Sequence, residues 1–251
     1  MILLNETEWA EAMIQARTLG RKPYETLYRV ARYFIDQNGY TKKEVRKALE
    51  DFIVQCEPNA SIPKWSNTID YAITHATKYK TIEIDSIPVT ASEMKRIDSL
   101  GSRQLRRLAF TLLCLSRYFD IVNGTPSHWV NCKDSEIMKM ANINTSIRRQ
   151  SLMYHLLNQN GMIQFSKKIS NTNVCVTFQS DDEPVMHITD MRNLGYQYLK
   201  YHGEAYSTCE NCGLTFKTNN IGRPRRYCND CSNMIKVQRA VNSAMKIKKF
   251  A

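Results

Sequence analysis

Cys209-Glu-Asn-Cys212 and Cys228-Asn-Asp-Cys231 form two C-x-x-C pairs with 15 residues between them, Gly213 to Tyr227. Each pair can set two thiolates on one side of a tight turn. Two such turns supply the four soft ligands of a tetrahedral Zn²⁺ and leave no position for water, so the site organises a fold rather than performing a reaction. Gly213, directly after the second cysteine, suits that turn, and backbone N–H groups can then reach the thiolates. Two other chemistries use such cysteines. A redox dithiol needs one C-x-x-C beside a thioredoxin-like βαβ pattern, which this chain lacks. An iron–sulfur centre takes the same four thiolates and is the remaining alternative. Cys56, Cys114, Cys132 and Cys175 are scattered among apolar residues and read as core thiols.

The second set of chemically active residues is cationic. The 251-residue chain carries a net charge of +11, unevenly spread. Residues 1–92 hold 12 Lys/Arg and 12 Asp/Glu, residues 93–180 hold 12 against 5, residues 181–208 hold 2 against 5, and residues 209–251 hold 9 against 2. Positive charge gathered into two blocks suits a polyanionic partner, and nucleic acid is the usual one. In the finger block, Lys217, Arg223, Arg225, Arg226, Lys236 and Arg239 crowd around the cysteines, and Lys246, Lys248 and Lys249 follow. The bland use of such a block is a solubilising tail. In the middle block, Arg148, Arg149, Ser151 and His155 fall on a helical stretch, with Lys167 and Lys168 just beyond it. With Ile147 at 0° and about 100° per residue, Met153, Tyr154, Leu156 and Leu157 fall between about 180° and 340°. Ser151, His155 and Arg148 fall near 40°, 80° and 100°, on the polar arc, with Leu152 at its margin and Arg149 nearer the apolar side. Arginine can pair with guanine O6 and N7, and Ser and His can donate to bases or phosphates. Solvated charge is again the plain alternative.

These residues need elements to hold them. Residues 1 to about 60 read as helices, from apolar residues at i, i+3 and i+4, with Thr41 and Glu44 as a capping box. A further helix spans residues 64–79, and Thr81–Asp85 alternates as a short strand. Thr90 with Glu93 is another capping box. From Arg103 the expected order is an apolar helix to Phe119, a strand at 128–130, helices at 134–141 and 144–159, and β-runs at 162–168 and 174–179. Ile169-Ser-Asn-Thr-Asn173 would be the hairpin between the last two, with Ser170, Asn171, Thr172 and Asn173 at a tip suited to phosphate. Val185–Ile188 reads as a strand and residues 190–201 as a helix. Leu214–Lys217 and Arg225–Tyr227 would pair as a hairpin, and Cys228 and Cys231 would open a final helix.

The order from Arg103 resembles a winged helix, with 144–159 as recognition helix and 162–179 as wing. Knuckle, hairpin and ligand-bearing helix resemble a treble-clef finger. C-x2-C-G-x2-F with a basic-aromatic step before the second pair is similar to the finger of bacterial CGNR-type proteins, although the CGNR tetrad itself is absent. Gln104-Leu-Arg-Arg-Leu-Ala-Phe-Thr-Leu-Leu-Cys-Leu115, Arg192-Asn-Leu-Gly-Tyr196 and the finger together resemble proteins of phages and prophages of Gram-positive bacteria. That resemblance brings no established activity and implies a gene-regulation or replication setting.

Treble clefs that act as HNH nucleases need histidines in the finger. The last histidine here is His202, before it begins. There is no P-loop, no H-x-H, and no spaced acidic set in the basic blocks. His75, His128, His155 and His187 are isolated. The fold expected is mainly α (α+β): a helical domain at 1–92, a winged-helix domain at 93–205 and a small four-cysteine zinc finger with a basic tail at 206–251. The chain reads as a non-enzymatic, double-stranded-DNA-binding regulator with zinc as cofactor. The alternative is a protein-interaction factor, a replication accessory or inhibitor of host defence, which its basic regions only tether. No secretory signal or membrane span is visible, and unpaired cysteines suit a reducing cytoplasm.

Overall fold

The computed structural model describes residues 2–167, 173–218 and 225–249, with side chains to residue 243. It is mainly helical with small sheets and divides into two compact units, residues 1–85 and 86–251.

The first unit is four helices: α1 (Glu6–Gln15), α2 (Pro23–Asp36), α3 (Lys42–Cys56) and α4 (Ile62–Ala76). Their starts follow local chemistry. The Asn5 side chain accepts from Glu8 N, Thr41 and Glu44 form the expected capping box, and α2 and α4 carry proline in the first turn. Helix α2 packs against the other three. Its Leu27, Val30 and Ala31 meet Val45, Leu49 and Ile53 of α3 and Ile69 and Ala72 of α4 in one core. A buried ion pair crosses it: Arg32 donates to Glu6 Oε2 at 2.5 Å and to the Lys80 carbonyl at 3.2 Å. Thr81–Asp85 is not the expected strand. It makes a single bridge, Asn5 to Glu83, flanked by Glu6 N to Ile82 O and Ile84 N to Leu4 O. A buried carboxylate at Glu6 also takes the Ile82 N–H, so backbone and side chain share the pairing that a ladder would use.

The second unit begins with β1 (Ile87–Thr90) and α5 (Ala91–Asp98), where Thr90 and Glu93 form the second expected capping box. The boundary drawn at Ser92 from charge counts lies beyond this strand, which pairs antiparallel with β5 (Pro184–Ile188). Helix α6 (Arg103–Asn123) is the hub. Every residue from Leu108 to Ser116 is buried, as expected of a helix that is apolar all round. Around it follow β2 (Trp129–Val130), α7 (Asp134–Met140), α8 (Ile147–Gln159), β3 (Ile163–Phe165) and β4 (Val174–Val176). The three strands form one antiparallel sheet in the order β2-β4-β3, so the last strand enters between the first two. Among the cysteines read as core thiols, Cys114 is buried, while Cys56, Cys132 and Cys175 are half-buried. Cys175 alternates with buried Val174 and Val176, and therefore faces away from the core.

Helix α9 (Leu194–Tyr201) starts later than expected. Asn193 adopts a left-handed backbone (φ 50°), and the Asp190 carboxylate accepts from Arg192 N, so 190–193 form a turn. Gly195 is required here: a Cβ on it would stand 2.0 Å from the Ala141 carbonyl oxygen at the end of α7. The chain closes with β6 (Tyr206–Thr208), β7 (Thr215–Lys217) and α10 (Asn229–Lys249). Among the described residues no helix is long and apolar enough to cross a membrane.

Candidate metal centre and nucleic-acid interface

Strands β6 and β7 pair antiparallel, Tyr206 with Lys217 and Thr208 with Thr215. This corrects the expected pairing of 214–217 with 225–227: residues 226–227 are bent, and the Arg226 carbonyl accepts from Glu210 N rather than from β7. The physical reason is proximity: the chain reaches the first cysteine along β6, and a short knuckle returns it as β7. Cys209 follows β6 directly. Gly213 closes the knuckle with φ +72°, its N–H bonded to Cys209 O at 2.9 Å. Cys228 stands just before α10, and Cys231 lies in its first turn.

The two turns bring all four Sγ atoms within 4.8 Å of one another, and Cys209, Cys228 and Cys231 are buried. Cys212 Sγ lies 3.7 Å from Cys228 Sγ. A tetrahedron with bonds of about 2.3 Å has edges of about 3.8 Å, so four thiolates in this arrangement fit a Zn²⁺ ion. Donors already point at the sulfurs: Cys228 N at 3.3 Å from Cys209 Sγ, and Asn211 Nδ2 at 3.3 Å from Cys231 Sγ. Burial pushes the Cys209 thiol up, but the N–H groups of Cys228, Asn211 and Cys212 outweigh it and hold the group below the ordinary thiol range. Burial raises Cys212, whose neighbours are the other thiols. Four sulfurs this close ionise together only with a cation among them, which is what the donor set can hold.

The supports of this centre lie outside the motif. Arg192 donates to Cys212 O at 2.6 Å and is held by Asp190, while Asn193 donates to Thr215 O at 2.8 Å. Asn211 was in view between the first two cysteines, but nothing in the local pattern marked Arg192 or Asn193 as knuckle supports.

The finger cations have different surroundings. Arg225 donates to Asn229 Oδ1 and Lys217 O, and its guanidinium lies 5.4 Å over the Phe216 ring. Arg226 is paired with Glu210, donating through Nε at 2.7 Å. Lys217, Lys236 and Arg239 are exposed. Arg223 of the finger, Lys168 and the tip residues Ser170, Asn171 and Thr172 lie outside the described residues.

On α8, Met153, Tyr154 and Leu157 are buried, and Arg148, Ser151 and His155 are exposed, matching the helical phase. Arg149, placed nearer the apolar side, is exposed as well. Ser151 spends its hydroxyl on the Ile147 carbonyl at 3.2 Å. The His155 ring lies 5.2 Å from that of Phe165 on β3, and Lys167 is exposed two residues further along. Two other histidines lie beside carboxylates, His128 Nδ1 at 2.8 Å from Asp120 and His202 Nε2 at 3.0 Å from Asp98.

No protein-family model, curated protein or solved structure matches the chain.

Proposed function

We propose that this chain is a non-enzymatic protein that binds double-stranded DNA in a phage-type regulatory or replication setting, with a structural zinc ion in its C-terminal finger. The order α6-β2-α7-α8-β3-β4 resembles that of a winged helix, in which α8 would enter the major groove and the β3–β4 hairpin would lie along the backbone. The observation that carries the reading is the exposed arc of α8. Arg148, Arg149, Ser151 and His155 share it, and Lys167 stands at the end of the adjoining strand. Exposed finger cations Lys217, Lys236 and Arg239 would add phosphate contacts. The four-cysteine cluster supports the zinc assignment, since four tetrahedral sulfur donors select zinc or iron–sulfur, and a single ion suits a site of this size.

The test is a salt titration of binding to a mixed-sequence duplex and to a single strand of the same length, with metal content measured on the same preparation. Each phosphate neutralised adds about 0.9 to the log–log slope on duplex. Tight duplex binding with a slope of several units and one zinc per chain supports the reading. No duplex binding at low salt would sink it.

A second reading, a protein-interaction factor, is favoured by the first unit. Tyr71 is exposed there, its ring 5.1 Å from Tyr24 and 4.2 Å from His75, on a unit without net charge. Capture of a defined protein partner by a chain that ignores DNA selects it.

A further inference from the structure

The cationic arc of α8 carries two residues that its polar neighbours do not explain. Ile147, the first residue of the helix, is 80% exposed, and Leu152 is 56% exposed. Both are large apolar side chains on the outward face, while the inward face is filled by Met153, Tyr154 and Leu157. Leaving an isoleucine and a leucine in water forgoes the burial that the rest of the helix obtains. The segment that carries them is cationic. From Ile137 to Ser180 the sequence has five Lys/Arg and no Asp or Glu. A second copy of this face would set like charges against each other. A polyanion complements it.

On a DNA duplex the apolar group displayed in the major groove is the 5-methyl of thymine, and aliphatic side chains contact it. Residues at the start of a recognition helix are the ones that reach base edges. Ile147 holds that position, one residue before Arg148, and no side chain caps the helix at Ser146. We infer that Ile147 and Leu152 are specificity-determining residues that read thymine methyl groups in the major groove, alongside Arg148. This rests on the duplex-DNA reading above and adds what that reading leaves open, the kind of base read. At about 100° per residue the two side chains stand about 140° apart, flanking Ser151, His155 and Arg148, so they would meet different base pairs.

Duplexes with a random core are selected on the full chain, and the enriched duplex is resynthesised with deoxyuridine at each thymine in turn. Uracil keeps the pairing and removes only the methyl. Burying one methyl corresponds to about a fourfold change in affinity. The expected result is that removal of one or two particular methyls weakens binding about fourfold each. Ile147→Ser should lose sensitivity at one of them and Leu152→Ser at another, with circular dichroism unchanged because both side chains are exposed. An enriched duplex whose binding ignores every methyl, or whose methyl sensitivity survives both substitutions, overturns this inference and leaves the DNA reading standing. Sedimentation showing that Ile147→Ser dissociates a dimer also overturns it, because the residue then faces a second copy. A pool that yields no enriched duplex overturns this inference, and the DNA reading falls with it only if the mixed-sequence duplex is also unbound at low salt.

Discussion

Glu93 is fully buried, and Arg117 donates to its carboxylate at 2.6 Å while also bonding the Ser180 carbonyl. The same carboxylate takes the N–H of Thr90 and of Ser180. Arg117→Ala removes the cation and leaves a buried charge, which costs about 3–5 kcal/mol. The measurement is the urea midpoint, and Glu93→Gln with Arg117→Met should recover much of the loss. Half of this cluster was legible: Thr90 and Glu93 are three residues apart and announce a cap. Arg117 sits on another helix, and no local pattern joins it to Glu93. Asp120 gives a pH signature. Burial raises its carboxyl, but the N–H and ring of His128 and the Gln179 amide hold it below the usual range. A depressed folded pKa gives stability that is fully present above the unfolded value of about 3.9 and is lost as pH falls through the folded one. Asp120→Asn should therefore flatten the fall in stability below about pH 4, read as urea midpoints against pH.

At the scale of elements, the best-read parts were those with short-range causes. The α8 phase, the two capping boxes and the cysteine knuckle all come from residues within a few positions of each other. What escaped depends on distant partners. Strand β1 pairs with β5, Ile87 opposite Ile188, and β7 turned back onto β6 rather than forward. Gly195 belongs with these: nothing near it in sequence shows that the end of α7 passes over α9. Gly195→Ala would drive a methyl into the Ala141 carbonyl, and the backbone must separate. Overpacking of this kind costs about 1–3 kcal/mol. Thermal unfolding should show it as a lowered midpoint, and an unchanged midpoint would mean the two elements do not approach so closely. The finger has its own cooperative element. With a four-thiolate ion as its centre, chelation should free four thiols to a thiol reagent and lower far-ultraviolet helicity as α10 loses its anchor, while Cys228→Ser should prevent zinc uptake altogether. Retained helicity after complete metal removal would make the cluster dispensable to the fold.

For the molecule as a whole, charge separates along the chain as compactness does. Residues 1–85 carry 12 Lys/Arg and 12 Asp/Glu, and residues 86–92 carry no charge, so the net +11 belongs entirely to the second unit. The charge step itself was readable before any packing was known, because charge counts need no partner. Which cations carry a carboxylate partner was not, since Arg226 is exposed but paired with Glu210, and Arg149, placed by phase nearer the apolar side, is exposed as well. The division sets an asymmetric prediction. Arg148→Ala, Arg149→Ala and Lys167→Ala together should lower the log–log salt slope of duplex binding by about two to three units, at about 0.9 per lost phosphate contact. The same number of cations removed from the first unit, Lys42→Ala, Lys43→Ala and Lys47→Ala, all exposed on α3, should leave the slope where it was. Net charge alone would make the two triple variants equal, because each removes three positive charges from one chain. Equal slopes would therefore place binding in a diffuse field and take α8 out of the groove, whereas a fall confined to the first variant ties the salt dependence to α8 and its adjoining strand.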